Sequence, residues 1–189
     1  MKPLTSPWAL WAPILVSAVL VFIASSISQA VLPFHRTDFR KVPGEPEVME
    51  TLNRLGVARG DYLFPRPANR KELASPAFRE KYQKGPIGIL TVFPKGGNPT
   101  ARTLLLWFLY CLAVGAFVAF LASLSLSPSA DRRTIFILIG LAALGGHVLA
   151  LWPASIWYGK AWSTTIKSSL DGLVYGILTG GTFAWMWPK

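Results

Sequence analysis

Four apolar stretches, at 8–32, 103–126, 134–152 and 168–187, constrain this chain more than anything else in it. A bilayer core about 30 Å thick takes roughly 20 mainly apolar residues per helix, and each stretch approaches or exceeds that length. With 52% hydrophobic and only 15% charged residues, and a mean hydropathy of +0.41, the 189-residue chain has the wrong composition for a soluble domain. The expected fold class is an all-α membrane protein: a four-transmembrane-helix bundle with a small mixed α/β extramembrane insertion between spans 1 and 2. The first stretch follows Met1-Lys2, and "ASSISQA" at 24–30 resembles a small-residue cleavage site. Its apolar run exceeds the roughly 7–15 residues of a secretory core, so it reads as a span.

Trp8 and Trp11 open span 1 with rings suited to the headgroup level, and Pro13 falls in its first turns, where a missing N–H does little harm. The connection "SLSPSADRR" at 125–133 is short enough to make spans 2 and 3 an antiparallel hairpin. Span 3 is expected to stop at Trp152-Pro153, and 153–167 reads as an interfacial segment.

The insertion at 33–102 holds most of the prolines and charges. "PEVMETLNRLG" (46–56) places Val48, Met49, Leu52 and Leu55 on one helical face, with Gly56 as the stop. "SPAFREKYQKG" (75–85) is a second short helix, with Ser75 as N-cap, Pro76 at its first position and Gly85 as the stop. "DYLF" (61–64) and "IGILTVF" (87–93) read as short strands. A unit of this size is marginal alone and is expected to rest on the bundle or a partner.

The formal charge is +10, and 13 of the 19 Lys and Arg lie between Arg36 and Arg102 among seven acids. Beside membrane spans such a cluster points to anionic headgroups rather than nucleic acid. Arg66, Arg70, Lys71, Arg79, Lys81 and Lys84 are read as a solvated or lipid-facing surface. Near the spans, Arg36, Arg40, Lys41, Lys84, Lys95, Arg102, Lys160 and Lys167 mark the loop side, against Lys2, Arg132, Arg133 and Lys189 on the terminal side. Lys and Arg near span ends favour the cytoplasm, so the 33–102 loop is expected there.

Ser168, Gly172, Gly176, Gly180 and Ala184 recur every four residues and line one face of span 4. Cys111, Gly115, Ala119 and Ser123 do the same in span 2. Such faces let backbones approach closely in lipid, and these two are expected to meet. Ordinary packing and a dimer seam are both open readings.

Ionisable groups inside a membrane are functional candidates by default. Asp171 lies one to two turns into span 4, with Lys167 four residues before it, so an i,i+4 pair is expected. His147 in span 3 and Tyr110 in span 2 fall in the same loop-side half, as do Tyr175 and Ser25, Ser26 and Ser28. A cluster of His147, Asp171, Lys167 and Tyr110 serves either as interhelical hydrogen bonding or as a ligand, proton or substrate site.

Catalytic signatures are missing: there is no HExxH, no cysteine pair and no P-loop, and the two histidines, His35 and His147, exclude a histidine-rich metal site. Neither metal nor cofactor is expected. Cys111 stands alone, so no intramolecular disulfide forms.

"GDYLFPRP" (60–67), "GPIGILTVFP" (85–94), "WFLYCL" (107–112) and above all "LWPASIWYGKAWSTTIKSSLDGLVYGILTGGTFAW" (151–185) resemble a family of uncharacterised small bacterial integral membrane proteins with four predicted transmembrane helices. The resemblance runs from about residue 31 onward and implies a bacterial inner membrane. It brings no catalytic residues with it. The function expected is a non-enzymatic scaffold or accessory component of a membrane assembly, with a protein partner or a second copy. The alternative is a small oligomeric permease or channel using the Asp/His/Lys cluster, and an enzyme acting on lipid stands third.

Overall fold

The computed structural model describes residues 5–96 and 100–188. Lys2 and Lys189, two of the orientation markers, lie outside the described residues. The chain divides into two compact units: Met1–Arg40 with Pro99–Lys189, and Lys41–Asn98.

The first unit is helical. It contains α1 (Trp11–Ser26), α5 (Thr100–Ser125), α6 (Arg132–Val148), α7 (Trp152–Tyr158) and α8 (Trp162–Met186). The second carries α2 (Glu45–Arg54), β1 (Gly60–Phe64), α3 (Arg70–Ala74), α4 (Pro76–Lys84) and β2 (Gly88–Val92).

Three helical segments are long and apolar enough to cross a membrane: Trp8–Val31, Ala101–Ser125 and Arg132–Tyr158. The third extends past the stop expected at Trp152-Pro153. A 3-10 turn at Leu149–Leu151 leads into α7, and Pro153 sits in the first turn of α7, where its missing N–H costs no hydrogen bond. Gly159, in the left-handed conformation at φ 67°, ends the segment. Helix α8 is as long as the others, but its glycines, threonines, Lys167 and Asp171 dilute its apolar character, and it is not among the three.

Helix α8 packs along α6 and against α1, and α5 packs against both α1 and α6. One apolar cluster gathers Leu10, Val118, Ala122, Ile135, Ile139 and Phe183; a second holds Ala18, Val21, Cys111 and Tyr175. The outside is also apolar: Phe120 is 55% exposed, Leu141 62% and Ile177 50%. Water would penalise so much exposed apolar surface, whereas lipid accepts it. Exposed tryptophans mark the two ends. Trp8, Trp11 and Trp185 lie at one, and Trp157 and Trp162 at the other, as an aromatic belt requires. Two contacts tie the first end together: Thr5 N–H and Oγ1 both donate to the Leu126 carbonyl, and Trp187 Nε1 donates to that of Ser127.

The two small-residue faces do not meet each other as expected. A Cβ built at Gly176 would lie 2.8 Å from the Gly140 carbonyl oxygen, and one at Gly180 2.6 Å from that of Phe136; at Gly172 it would collide with Val148. Helix α8 therefore presses its bare face on α6, where Gly140 supplies the matching gap. Gly115 in α5 instead receives Ile14 of α1, whose Cγ2 would be 3.3 Å from an added Cβ. Each glycine face finds a partner that is itself small or can interdigitate, and Gly140 had no fourfold repeat to advertise it.

In the second unit, Ser75 Oγ caps α4 by accepting from Phe78 N–H at 3.1 Å, with Pro76 in the first turn and Gly85 just past the end. Gly56, at φ 64°, follows α2. Strands β1 and β2 pair antiparallel, Tyr62 opposite Leu90. The small mixed α/β insertion is thus present. Helix α3 was not expected; Asn69 caps it by accepting from Glu72 N–H at 2.9 Å.

Candidate functional site

Helix α1 does not end cleanly. It widens into a π-helical turn over Ile27–Val31, which places Ser28 and Gln29 beside α8. Leu32 is then extended, as a residue preceding proline prefers, and Pro33–His35 forms a 3-10 turn. The chain keeps turning past it: Asp38 N–H donates to the His35 carbonyl at 3.0 Å, and this turn brings the His35 and Asp38 side chains together.

Three side chains of these turns converge on Asp171 of α8. Ser28 Oγ donates to its Oδ1 at 2.7 Å, His35 Nε2 lies 2.8 Å from its Oδ2, and Gln29 Nε2 approaches at 3.5 Å. The other ring nitrogen of His35, Nδ1, is 2.6 Å from Asp38 Oδ2. Lys167 Nζ completes the chain, donating to Asp38 Oδ1 at 2.9 Å and to Thr37 Oγ1 at 2.8 Å. The side chains are largely buried: His35 is 7% exposed, Asp38 8%, Asp171 12% and Lys167 18%. A buried charge survives only when paired and hydrogen-bonded, and the imidazole ring lies between the two carboxylates.

The Lys167–Asp171 pair expected from i,i+4 spacing does not form. Lys167 is drawn instead to Asp38, which the turn after Pro33 delivers to it. That contact also moves the boundary of the insertion: residues 33–40, expected within it, belong to the helical unit because His35 and Asp38 are fastened to α8.

His147 and Tyr110 stand in a neighbouring group and make no hydrogen bond to Asp171. Trp107, Tyr110 and Tyr175 surround the His147 ring, with centroids 6.3, 5.5 and 5.2 Å away, and Trp107 and Tyr110 stack at 5.3 Å. Their polar ends are fixed. Trp107 Nε1 donates to Ser25 Oγ and Tyr110 O–H to the Gly146 carbonyl, both at 2.7 Å. His147 Nδ1 is buried without a hydrogen-bond partner. A cavity of about 560 Å³ joins the two groups, since Asp171, His147, Tyr110, Trp107 and Tyr175 all line it. Its other walls come from the end of α1, the start of α5, Leu151 and Ser168. Of the four expected site residues the cavity thus unites three, while Lys167 is not in its lining.

No family model, curated protein or solved structure matches this chain. The site is therefore read from its own geometry. His35, Asp38 and Trp107 were absent from the expected cluster, although "PFHRTD" at 33–38 carried a signal: proline opening a turn, with histidine and aspartate three apart. Among the described residues no three His, Cys, Asp or Glu side chains are placed to hold a metal ion.

Burial works against the ionised Asp38 carboxyl, but hydrogen bonds from His35 and Lys167, with the charge of Lys167, outweigh it and hold its pKa below the usual carboxylate range. A depressed carboxylate pKa stabilises the fold above its unfolded value of about 3.9, and that contribution is lost as pH falls through the folded value. Asp38→Asn is expected to lower thermal stability in detergent at pH 7 and to narrow its difference from the parent below about pH 4. Melting curves of both proteins across pH check this; a constant difference would contradict it.

Proposed function

We propose that the protein is a non-enzymatic component of a bacterial inner-membrane assembly, a four-span bundle that presents the Lys41–Asn98 unit to the cytoplasm as a scaffold for a partner. The observation that carries this reading is that the intramembrane charge is occupied. Ser28, Gln29 and His35 engage Asp171, and Asp38 engages Lys167, so these ionisable groups clasp the end of span 1 to span 4. A transport pathway would need them free to exchange partners.

A fourth span is supported by the way α8 distributes its polarity. Thr164, Thr165, Thr179 and Thr182 are buried, while Leu170, Leu173, Val174 and Ile177 face outward. Thr179 and Thr182 also donate to carbonyls one turn back, those of Tyr175 and Leu178. The polar residues that lower its hydropathy are those the lipid does not meet. At 1.5 Å per residue its 25 residues reach roughly 37 Å, enough to cross. Within the Lys41–Asn98 unit, Met49 is 58% exposed, Leu55 68% and Phe93 75%, beside the basic residues. Those side chains suit a protein partner or an anionic headgroup surface. The bacterial location rests on the resemblance of 151–185.

A cysteine in place of exposed Gln83, in a Cys111→Ala background, tests the orientation. An impermeant maleimide is expected to label inside-out vesicles and to leave intact cells unlabelled. Labelling of intact cells would place the unit outside.

A further inference from the structure

We propose that the cavity bounded by Asp171 and the Trp107–Tyr110 pair is a binding site for an organic ammonium group. Its size, about 560 Å³, is in the range of small-molecule sites. The chemistry of its wall selects the sign of the ligand. Ser25 and Ser26 Oγ donate inward to the Phe22 carbonyl, and the Tyr110 hydroxyl to that of Gly146. The Trp107 N–H is spent on Ser25. These donors are consumed by the protein; the hydroxyls of Thr103, Ser168 and Tyr175 also line the cavity, and the rest of its wall is aromatic surface and the carboxylate of Asp171.

Asp171 is the one carboxylate in the lining, and no Lys or Arg accompanies it. Lys167 is held by Asp38 and does not reach the cavity wall. An anion would find hydroxyl donors there but no cationic side chain, and it would lie against the charge of Asp171. A cation finds ring faces and the negative charge of Asp171, which attracts an alkylated ammonium group without a direct hydrogen bond while Ser28, Gln29 and His35 keep hold of the carboxylate oxygens. His147, 8% exposed and with Nδ1 unpartnered, adds an imidazole edge on the same wall. A free organic cation and a lipid headgroup both offer this chemistry.

The test uses purified full-length protein in detergent and choline as the probe, with 3,3-dimethylbutan-1-ol, its neutral carbon isostere, as control. Choline is expected to bind at least about tenfold more tightly than the isostere. Ser168→Lys, which puts a cation in the wall one helical turn from Asp171, is expected to weaken choline binding about tenfold or more. Tyr110→Leu is expected to weaken it several-fold. Each variant is scored only after its melting curve matches a folded protein, and Asp171→Asn serves as a third variant where it remains folded.

A second arm separates the sources. If the natural ligand is a headgroup, nanodiscs of phosphatidylcholine compete with soluble choline and those of phosphatidylglycerol do not; if it is a free cation, both leave choline binding intact. Equal binding of the isostere, unchanged binding in Ser168→Lys, or no choline binding by the folded parent in either phosphatidylglycerol nanodiscs or detergent would each overturn the proposal.

Discussion

Gly180→Ile is expected to unfold or separate the α6–α8 pair in detergent, while Gly181→Ala, one residue further on, leaves it intact. The two positions differ only in what lies opposite. A Cβ at Gly180 falls 2.6 Å from the Phe136 carbonyl oxygen and 3.0 Å from Gly140 Cα, backbone atoms that cannot rotate away. At Gly181 nothing lies within 4 Å. Replacing glycine by alanine in a helix interior favours the helix by about 1 kcal/mol, so Gly181→Ala is expected to be neutral or slightly stabilising. At Gly180 even alanine must push the helices apart, and overpacking of this kind costs about 1–3 kcal/mol, more for a branched side chain. Thermal melting in detergent distinguishes them. A Gly180→Ile protein that melts with the parent would place this face away from α6.

The second large effect is expected at His35. Among the described residues its ring is the only group that touches both Asp38 and Asp171, so His35→Ala leaves two largely buried carboxylates without the group between them. A buried group left without its hydrogen-bond partner costs about 1–3 kcal/mol, more for a carboxylate, and two such groups together give a fall in melting temperature on the order of 10 °C. Asp171→Asn keeps the shape and part of the hydrogen bonding, and is expected to cost less, about 1–3 kcal/mol. The pair is also expected to be coupled: once Asp171 is Asn, the further loss from His35→Ala should shrink, because the second carboxylate has gone. Additive losses in a double-mutant cycle would show that the 2.8 Å contact contributes nothing.

What could be read from the chain follows the range of the forces involved. The caps of α4, with Ser75, Pro76 and Gly85, depend on residues within one turn and are written locally. The strands β1 and β2 are likewise set by local composition and by the turns that flank them. The apolar character of the three long segments is also local. The depth of Asp171, His147 and Tyr110 could be counted along each helix, and the cavity brings those three side chains to one wall. Which way each helix turns about its own axis is a long-range matter. His35 meets Asp171 across 136 positions, and only the packing of the end of α1 on α8 decides it. For the same reason the bare face of α8 was legible and its partner was not: Gly140 becomes a gap only when α6 is rotated to present it.

The scaffold reading depends most on whether the Asp171 clasp holds the protein together or moves protons, and one measurement separates these. Parent and Asp171→Asn proteins, reconstituted in liposomes under an imposed pH gradient, are assayed for proton-linked flux, with stability of the same samples followed by melting. The expected result is no flux above empty liposomes from either protein, and a lower melting temperature for Asp171→Asn. Reproducible proton-linked flux in the parent, abolished in a variant that melts with the parent, would contradict the account.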